Sequence, residues 1–175
     1  MRASLIWITG LSGSGKSSLA NAIHYNLTHM SVNCIVLDGD SVRRGLSKDL
    51  GFSHDDRIEH MRRVMEVAKL LLDQNVTVIA AFITPYRIMR QQIRDCVGLD
   101  RYIECYLDRP LDMCVREDAK GLYKAAAQGE IEHMTGINDA YEVPENPNVV
   151  VYTGICTLEH GVAKVIEYLC QHANL

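Results

Sequence analysis

A short segment near the start of the chain has the residue types and spacing that bind nucleotide phosphates. Gly10–Ser17 reads GLSGSGKS and matches the pattern G-x-x-x-x-G-K-[ST] in full. Glycines let the backbone wrap phosphate oxygens, and the N–H groups of the loop and of the next helix face the negative charge. We expect Lys16 to contact the β- and γ-phosphates of ATP and the Ser17 hydroxyl to bind Mg²⁺. The predicted nucleotide-binding residues are Gly10, Ser12, Gly13, Ser14, Gly15, Lys16, Ser17 and Ser18.

Two carboxylates end the second apolar run of the chain, at Asp38 and Asp40. A carboxylate in this place can hold Mg²⁺ through water or take the proton of an acceptor hydroxyl. Either residue can instead cap the turn that follows. We favour catalysis for Asp40 and leave Asp38 open between the two roles.

The next residues suit an anionic, aromatic acceptor. Arg43 and Arg57 carry guanidinium forks that match phosphate or sulfate, whereas the arginines at 62–63 equally fit a solvated helix face. Phe52 stands in a turn, where its ring can stack on a base or pack in a small cluster. Thr84 ends the third apolar run and either reaches the site or caps a helix.

Apolar, β-branched runs alternate with helical patterns, which predicts an α/β fold with a five-stranded parallel sheet. We predict five buried strands at Leu5–Thr9, Cys34–Asp38, Val76–Phe82, Tyr102–Leu107 and Val149–Thr153. We predict helices at Lys16–Thr28, Ile58–Asp73, Tyr86–Cys96, Leu111–Glu117 and Leu158–His172. Ligands of such folds bind at the carboxyl ends of the strands.

The segment 118–147 lacks a long apolar run and is too long for an ordinary connector. We interpret it as a mobile lid, with an ordered surface excursion as the alternative. The length of 175 residues then fits one domain, 1–175.

Composition restricts the class of partner. The net charge is −4 and no large basic cluster is evident, so we expect no nucleic-acid partner. Arg87, Arg90 and Arg94 recur at helical spacing, for which a solvated helix face is the plain interpretation. No signal peptide or membrane span is evident, and the six cysteines form no C-x-x-C pair. We therefore expect a cytoplasmic protein with a small-molecule nucleotide acceptor, and we leave a homodimer open.

Taken together, the motifs identify a family, because the chain resembles adenylyl-sulfate kinase over nearly its whole length. The matching segments are Gly10–Ser17, Leu37–Asp40 with Arg43 and Gly45-Leu46, 49–53, 56–57, 62–64, 66–69, 81–83, 85–87, 120–124, 129–130, 135–137 and 141–142. The resemblance implies transfer of a phosphoryl group from ATP to the 3′-hydroxyl of adenosine 5′-phosphosulfate (APS). It also implies a P-loop kinase fold and assigns roles to acceptor-side residues. Asp40 would be the base, Arg43 and Arg57 would bind the anionic group, Phe52 would cover the nucleobase, and Ile83 and Tyr86 would line its pocket.

The departures from the family pattern concentrate on the acceptor side. His60 replaces an Asn that contacts the acceptor, and Met134 replaces a Phe that faces Phe52 across the base. Thr84 replaces a Ser, and the lid keeps Lys120 but lacks other expected basic residues. The remaining departures are Met65, Glu117, Ala119, Ala125, Ala127 and Asn138.

Three functions remain open at this point. The first is sulfate activation, with weaker selectivity for adenine because methionine defines a ring-shaped site less tightly than phenylalanine. The second is phosphorylation of the 3′-hydroxyl of another nucleotide, such as cytidine diphosphoramidate in capsule modification. The third is a catalytically inactive domain that only binds nucleotide, which the presence of Lys16, Ser17 and Asp40 disfavours.

Overall fold

The computed structural model describes residues 2–172, which form seven helices around one five-stranded sheet. The strands are β1 (Leu5–Thr9), β2 (Cys34–Asp38), β3 (Thr77–Ala81), β4 (Tyr102–Asp108) and β5 (Val149–Tyr152). The helices are α1 (Lys16–His29), α2 (Gly39–Arg44), α3 (His54–Asp73), α4 (Arg87–Val97), α5 (Leu111–Glu117), α6 (Leu122–Ala127) and α7 (Leu158–His172). Among these residues, no helix is both long and apolar enough to cross a membrane.

The sheet is parallel throughout, in the order β2-β3-β1-β4-β5, so the predicted fold class is confirmed. β1 lies in the middle, and all five of its residues are buried. Its neighbours β3 and β4 place their carboxyl ends beside its own, with Ile8 opposite Ala81 and Thr9 opposite Tyr106. The phosphate loop therefore leaves the sheet at its centre, where strand ends on both sides can contribute side chains.

Alternation along β1 creates two cores, one on each face of the sheet. Ile6 and Ile8 pack in the cluster that includes residues of α1 and α7, while Leu5 and Trp7 pack in the cluster that includes residues of α3 and α4. Burial of one large aliphatic side chain contributes roughly 1.5–3 kcal/mol, so these two layers hold the strand ends in place.

The prediction of five buried strands is wrong for β2. This strand forms one edge of the sheet, and its residues are half-buried or exposed because only β3 pairs with it. The helix predicted from Ile58 begins at His54 instead. Ser53 caps it by accepting a hydrogen bond from the backbone N–H of Asp56 at 3.2 Å.

Two short helices and the state of the cysteines complete the fold. The sequence patterns did not predict α2 or α6, since each has only six residues and no complete apolar stripe. The six cysteines are all free thiols, and Cys105 and Cys114 are fully buried, as small hydrophobic residues often are.

Candidate active site

The phosphate loop takes a conformation that needs glycine at defined points. Gly13 and Gly15 have φ of 73° and 95°, in the region that L side chains disfavour. A Cβ on Gly10 would lie 2.8 Å from both Leu107 O and Ser14 Oγ. α1 begins at Lys16, directly after the loop, so its free N–H groups lie where phosphate oxygens can accept from them.

Lys16 folds back over the loop. Its Nζ donates hydrogen bonds to Gly10 O at 3.0 Å and to Leu11 O at 2.6 Å. Burial, together with the nearby positive charge of Lys120, lowers the pKa of Lys16 to about 8. The ammonium is therefore held at the loop with few surrounding waters, where a phosphate would be its strongest partner.

Asp38 and Ser17 join β2 to the phosphate loop. Ser17 Oγ donates to Asp38 Oδ2 at 2.6 Å, and Asp38 Oδ1 accepts from the backbone N–H of Asp40 at 3.0 Å as the cap of α2. Of the two roles left open for Asp38, capping is thus confirmed. A hydroxyl beside a carboxylate is also the hard-oxygen donor set that suits Mg²⁺, which usually takes only one or two protein ligands beside nucleotide phosphates.

Asp40 does not cap a helix, so the capping alternative is wrong for this residue. Its side chain is exposed and forms an ion pair with Lys120, which the segment 118–147 supplies. Within residues 2–172, no backbone group donates to the carboxylate of Asp40, so this acid on the first turn of α2 can accept a proton from a substrate hydroxyl.

These residues face a cavity of about 900 Å³, a size that fits a nucleotide. The predicted residues that line it are Ser12, Gly13, Gly15, Lys16, Ser17, Ser18, Asp40, Arg43, Phe52, Arg57, His60, Ile83, Thr84, Lys120 and Met134. Gly10, Ser14 and Tyr86 lie outside its wall. Leu107 encloses Gly10, Ser14 is fully buried within the loop, and Tyr86 caps α4 with its ring 5.3 Å from that of His54.

Arg43 and Phe52 form one wall of the cavity. The guanidinium carbon of Arg43 lies 4.3 Å from the centroid of the Phe52 ring, and Arg43 Nη1 donates to Gly51 O at 2.8 Å. Phe52 remains exposed on its outer surface. Arg43 lies over the ring and adds positive charge for an anionic nucleotide, while the exposed part of the ring offers a stacking surface.

Arg57 is buried and ties α3 to the segment 118–147. Its Nη2 donates to His133 O at 2.5 Å and to Asp139 Oδ2 at 3.4 Å, and its Nη1 donates to Thr135 Oγ1 at 3.2 Å. Its Nε donates to Phe52 O at 2.9 Å. One N–H of Nη1 has no partner in the part of the chain that the structure describes, and it is available to an anion in the cavity that Arg57 lines.

Thr84 and Ile83 extend β3 into the site. Thr84 has φ of 43° and accepts a hydrogen bond from Trp7 Nε1 at 2.9 Å, so it is buried in the wall and does not cap α4. The carbonyl of Ile83 accepts from Thr9 Oγ1 at 2.6 Å. The strained turn thus fixes both residues at the carboxyl end of the sheet.

The segment 118–147 is anchored to the phosphate loop as well as to Arg57. The hydroxyl of Tyr123, on α6, donates to Ser12 O at 2.9 Å. Met134 packs with Tyr123 and Cys114 in a small third core that also lines the cavity. The segment covers the site with ordered contacts, and its movement as a lid stays a prediction.

Several arginines outside the cavity pair with carboxylates. Arg90 is 3% exposed and forms an ion pair with Glu104 at 2.9 Å, and Arg94 binds the same carboxylate. The solvated-face interpretation is therefore wrong for Arg90. Arg62 and Arg63 pair with Glu59 away from the cavity.

Some lining residues were missed by the sequence patterns. They include Met61, Phe82, Met89, Leu122, Ile131, His133 and Thr135. Met61 lies on the apolar stripe of α3, and such a stripe signals burial without showing whether the residue faces a core or a cavity.

Comparison with known proteins identifies close relatives. A family model described as adenylylsulphate kinase matches residues 2–152. The adenylyl-sulfate kinase of Bacillus velezensis is 47% identical over 168 residues, which is 96% of this chain and 85% of that protein. The adenylyl-sulfate kinase of Enterobacter sp. is 51% identical over 148 residues, which is 85% of this chain and 74% of that protein.

A solved structure of an APS kinase also resembles this chain closely. The Mycobacterium tuberculosis APS kinase CysC, in complex with AMPPNP and APS, is 41% identical and superposes with a TM-score of 0.91. The match covers 96% of this chain and 98% of that one. A gluconokinase from Sinorhizobium meliloti superposes with a TM-score of 0.64 at 19% identity, a likeness of fold alone.

Proposed function

Because this chain belongs to the adenylyl-sulfate kinase family, we propose that it transfers the γ-phosphoryl group of ATP to the ribose 3′-hydroxyl of APS. The products are ADP and 3′-phosphoadenosine 5′-phosphosulfate. The observation that carries the proposal is a single cavity lined by the phosphate loop, by Asp40 on the first turn of α2, and by Arg43 with Phe52.

The donor side would hold the phosphates of ATP. The N–H groups of Gly13 and Gly15 would bind phosphate oxygens, and Lys16 would exchange its two carbonyl partners for the β- and γ-phosphates. Ser17, oriented by Asp38, would hold Mg²⁺. A Mg²⁺ ion held there would supply positive charge that offsets the charge of the phosphates.

The acceptor side would place the hydroxyl for in-line attack. Asp40 accepts the proton of the 3′-hydroxyl as the oxygen attacks phosphorus, and Lys120 adds positive charge close to the transferring group. Arg43 and the free N–H of Arg57 contact the phosphosulfate, and Phe52 stacks on the base. Positioning and charge stabilisation supply most of the rate, since no covalent intermediate is needed.

The capsule alternative has no support among the relatives compared above, which carry the adenylyl-sulfate kinase name. Met134 and His60 nevertheless line the acceptor cavity, so the nature of the base must be tested directly.

An acceptor panel tests the proposal. Purified protein with ATP and Mg²⁺ is given APS, cytidine diphosphoramidate or no acceptor, and ADP release is followed. We expect rapid ADP release only in the reaction that contains APS as the acceptor. Turnover with only the cytidine compound would replace the proposed acceptor, and no turnover with either compound would favour a domain that only binds nucleotide.

A further inference from the structure

A buried histidine and a buried serine meet at the wall of the acceptor cavity. His60, on α3, is 3% exposed, and Ser47, in the loop between α2 and α3, is fully enclosed. His60 Nδ1 lies 2.9 Å from Ser47 Oγ. His60 lines the cavity, whereas Ser47 lies behind it.

The direction of this hydrogen bond follows from the surroundings of Ser47. Among residues 2–172, the only hydrogen-bond partner of Ser47 Oγ is His60 Nδ1. If Nδ1 were the donor, the hydroxyl proton of Ser47 would be buried without an acceptor, and such a group costs about 1–3 kcal/mol. Ser47 therefore donates, and Nδ1 accepts with its lone pair.

The proton of the ring is then assigned to Nε2. Burial is the main cause that lowers the pKa of His60 to about 4, and the charges of Arg43 and Arg63 act in the same direction. The imidazole is thus neutral at pH 7 and carries one N–H. Since Nδ1 accepts, Nε2 holds the hydrogen.

Nε2 opens to the cavity. It has no hydrogen-bond partner among the described residues, yet it is not one of the fully enclosed polar atoms that lack one. The ring of Phe82, whose centroid lies 5.6 Å from that of His60, packs edge-on against it and limits its rotation. The wall of the acceptor pocket therefore presents a fixed N–H donor among mostly apolar side chains.

We propose that Ser47 is a positioning residue that locks His60 as the Nε2–H tautomer, and that His60 donates a hydrogen bond to a lone-pair atom of the acceptor nucleotide. The second half of this inference rests on the proposed function; the first half does not. Loss of the serine would let the ring adopt the other tautomer, which presents a lone pair instead of a donor at the same place.

The first test needs no activity. Long-range ¹H–¹⁵N NMR of the purified protein at pH 7 distinguishes protonated from unprotonated imidazole nitrogens, and His60→Asn assigns the signals. We expect a protonated Nε2 and an unprotonated Nδ1 for His60 in the wild type. We expect a mixture of tautomers, or the Nδ1–H form, in Ser47→Ala. A wild-type Nδ1–H signal would overturn the proposal even if Ser47→Ala fails to fold.

The second test is kinetic. Ser47→Ala should raise KM for APS by about 2- to 10-fold, the worth of one hydrogen bond, with kcat and KM for ATP nearly unchanged. His60→Leu should raise it at least as much, and His60→Asn, which keeps an N–H donor, should restore most of the affinity. Ser41→Ala, an exposed serine of the same region, is the control.

The outcomes separate the two proposals. An unchanged KM in Ser47→Ala and His60→Leu, in a protein that turns over APS, would exclude the contact with substrate. A wild type that ignores APS but shows the Nε2–H signal would contradict the proposed function and leave the tautomer lock standing.

Discussion

Lys120 and Asp40 lie 80 residues apart in the chain and form an ion pair at the mouth of the cavity. Both side chains are exposed, so the pair itself adds little to stability. Its importance is geometric, because the segment 118–147 brings a cation to the acid that we assign as the base. The acceptor hydroxyl and the transferring phosphoryl group would meet at this point.

Lys120→Met should lower kcat/KM for APS by at least about tenfold, roughly 1.4 kcal/mol of transition-state stabilisation. The reason is loss of a positive charge next to the phosphoryl group during its transfer. The matched control is Lys124→Met, an exposed lysine on the next helix of the same segment, which should change kcat/KM by less than about twofold. Equal losses in both variants would assign the effect to the overall charge of the segment 118–147.

Asp40→Asn should reduce kcat by about 10²- to 10⁴-fold while ATP affinity stays near the wild-type value, because a base acts only during transfer. Steady-state kinetics and calorimetric titration with a non-hydrolysable ATP analogue measure the two quantities. Asp95→Asn, on the exposed face of α4, serves as the control. A collapse of ATP affinity with an intact maximal rate would instead make Asp40 a ligand of Mg²⁺.

Lys16 gives nucleotide binding a dependence on pH. The pKa of the Lys16 ammonium is about 8 in the free protein, and bound phosphates favour its charged form. Above pH 8 the free amine must therefore take up a proton when ATP binds, which weakens binding. The Kd for ATP should be level near pH 7 and rise by up to about tenfold per pH unit above pH 8. Lys16→Met should bind weakly without this rise, and turnover should nearly vanish. A wild-type Kd that stays level to pH 9.5 would contradict the assignment.

Arg57→Met should destabilise the fold by about 3 kcal/mol, because it leaves Asp139 and the carbonyl of His133 without their buried partner. Urea unfolding of the variant measures the difference. Arg62→Met removes an exposed arginine of the same helix that pairs with Glu59 and contacts none of these groups, so it should cost less than about 0.5 kcal/mol. Similar values for both variants would show that Arg57 does not anchor the segment.

Local patterns predicted the bounds of several elements well. The bounds of β1, β2, α5 and α7 agree with the structure, since a continuous apolar run or a clear stripe marks each of them. The phosphate loop was predicted because its chemistry is confined to consecutive residues. The exposure of β2 was not predicted, because the sequence of a single strand does not show whether it lies at the centre or at the edge of a sheet.

The contacts between distant segments could not be predicted. Arg57 and His133 meet across 76 residues, and Tyr123 and Ser12 across 111, and nothing in the spacing of either pair signals the contact. The burial of Arg90 was hidden for the same reason, since its partner Glu104 lies on another element. On the acceptor side, residue types suggested Asp40, Arg43 and Phe52, but the part of each in binding depended on family resemblance, whereas prediction of the donor side did not.

The measurement that tests the central claim most directly identifies which oxygen of the product carries the added phosphoryl group. The protein is incubated with ATP, Mg²⁺ and either APS, its 3′-deoxy analogue or its 2′-deoxy analogue, and the products are analysed by mass spectrometry and ³¹P NMR. We predict one added phosphoryl group, on the 3′-oxygen, with APS and with the 2′-deoxy analogue, and no transfer to the 3′-deoxy analogue. Transfer to the 3′-deoxy analogue, or no product from APS, would contradict the account.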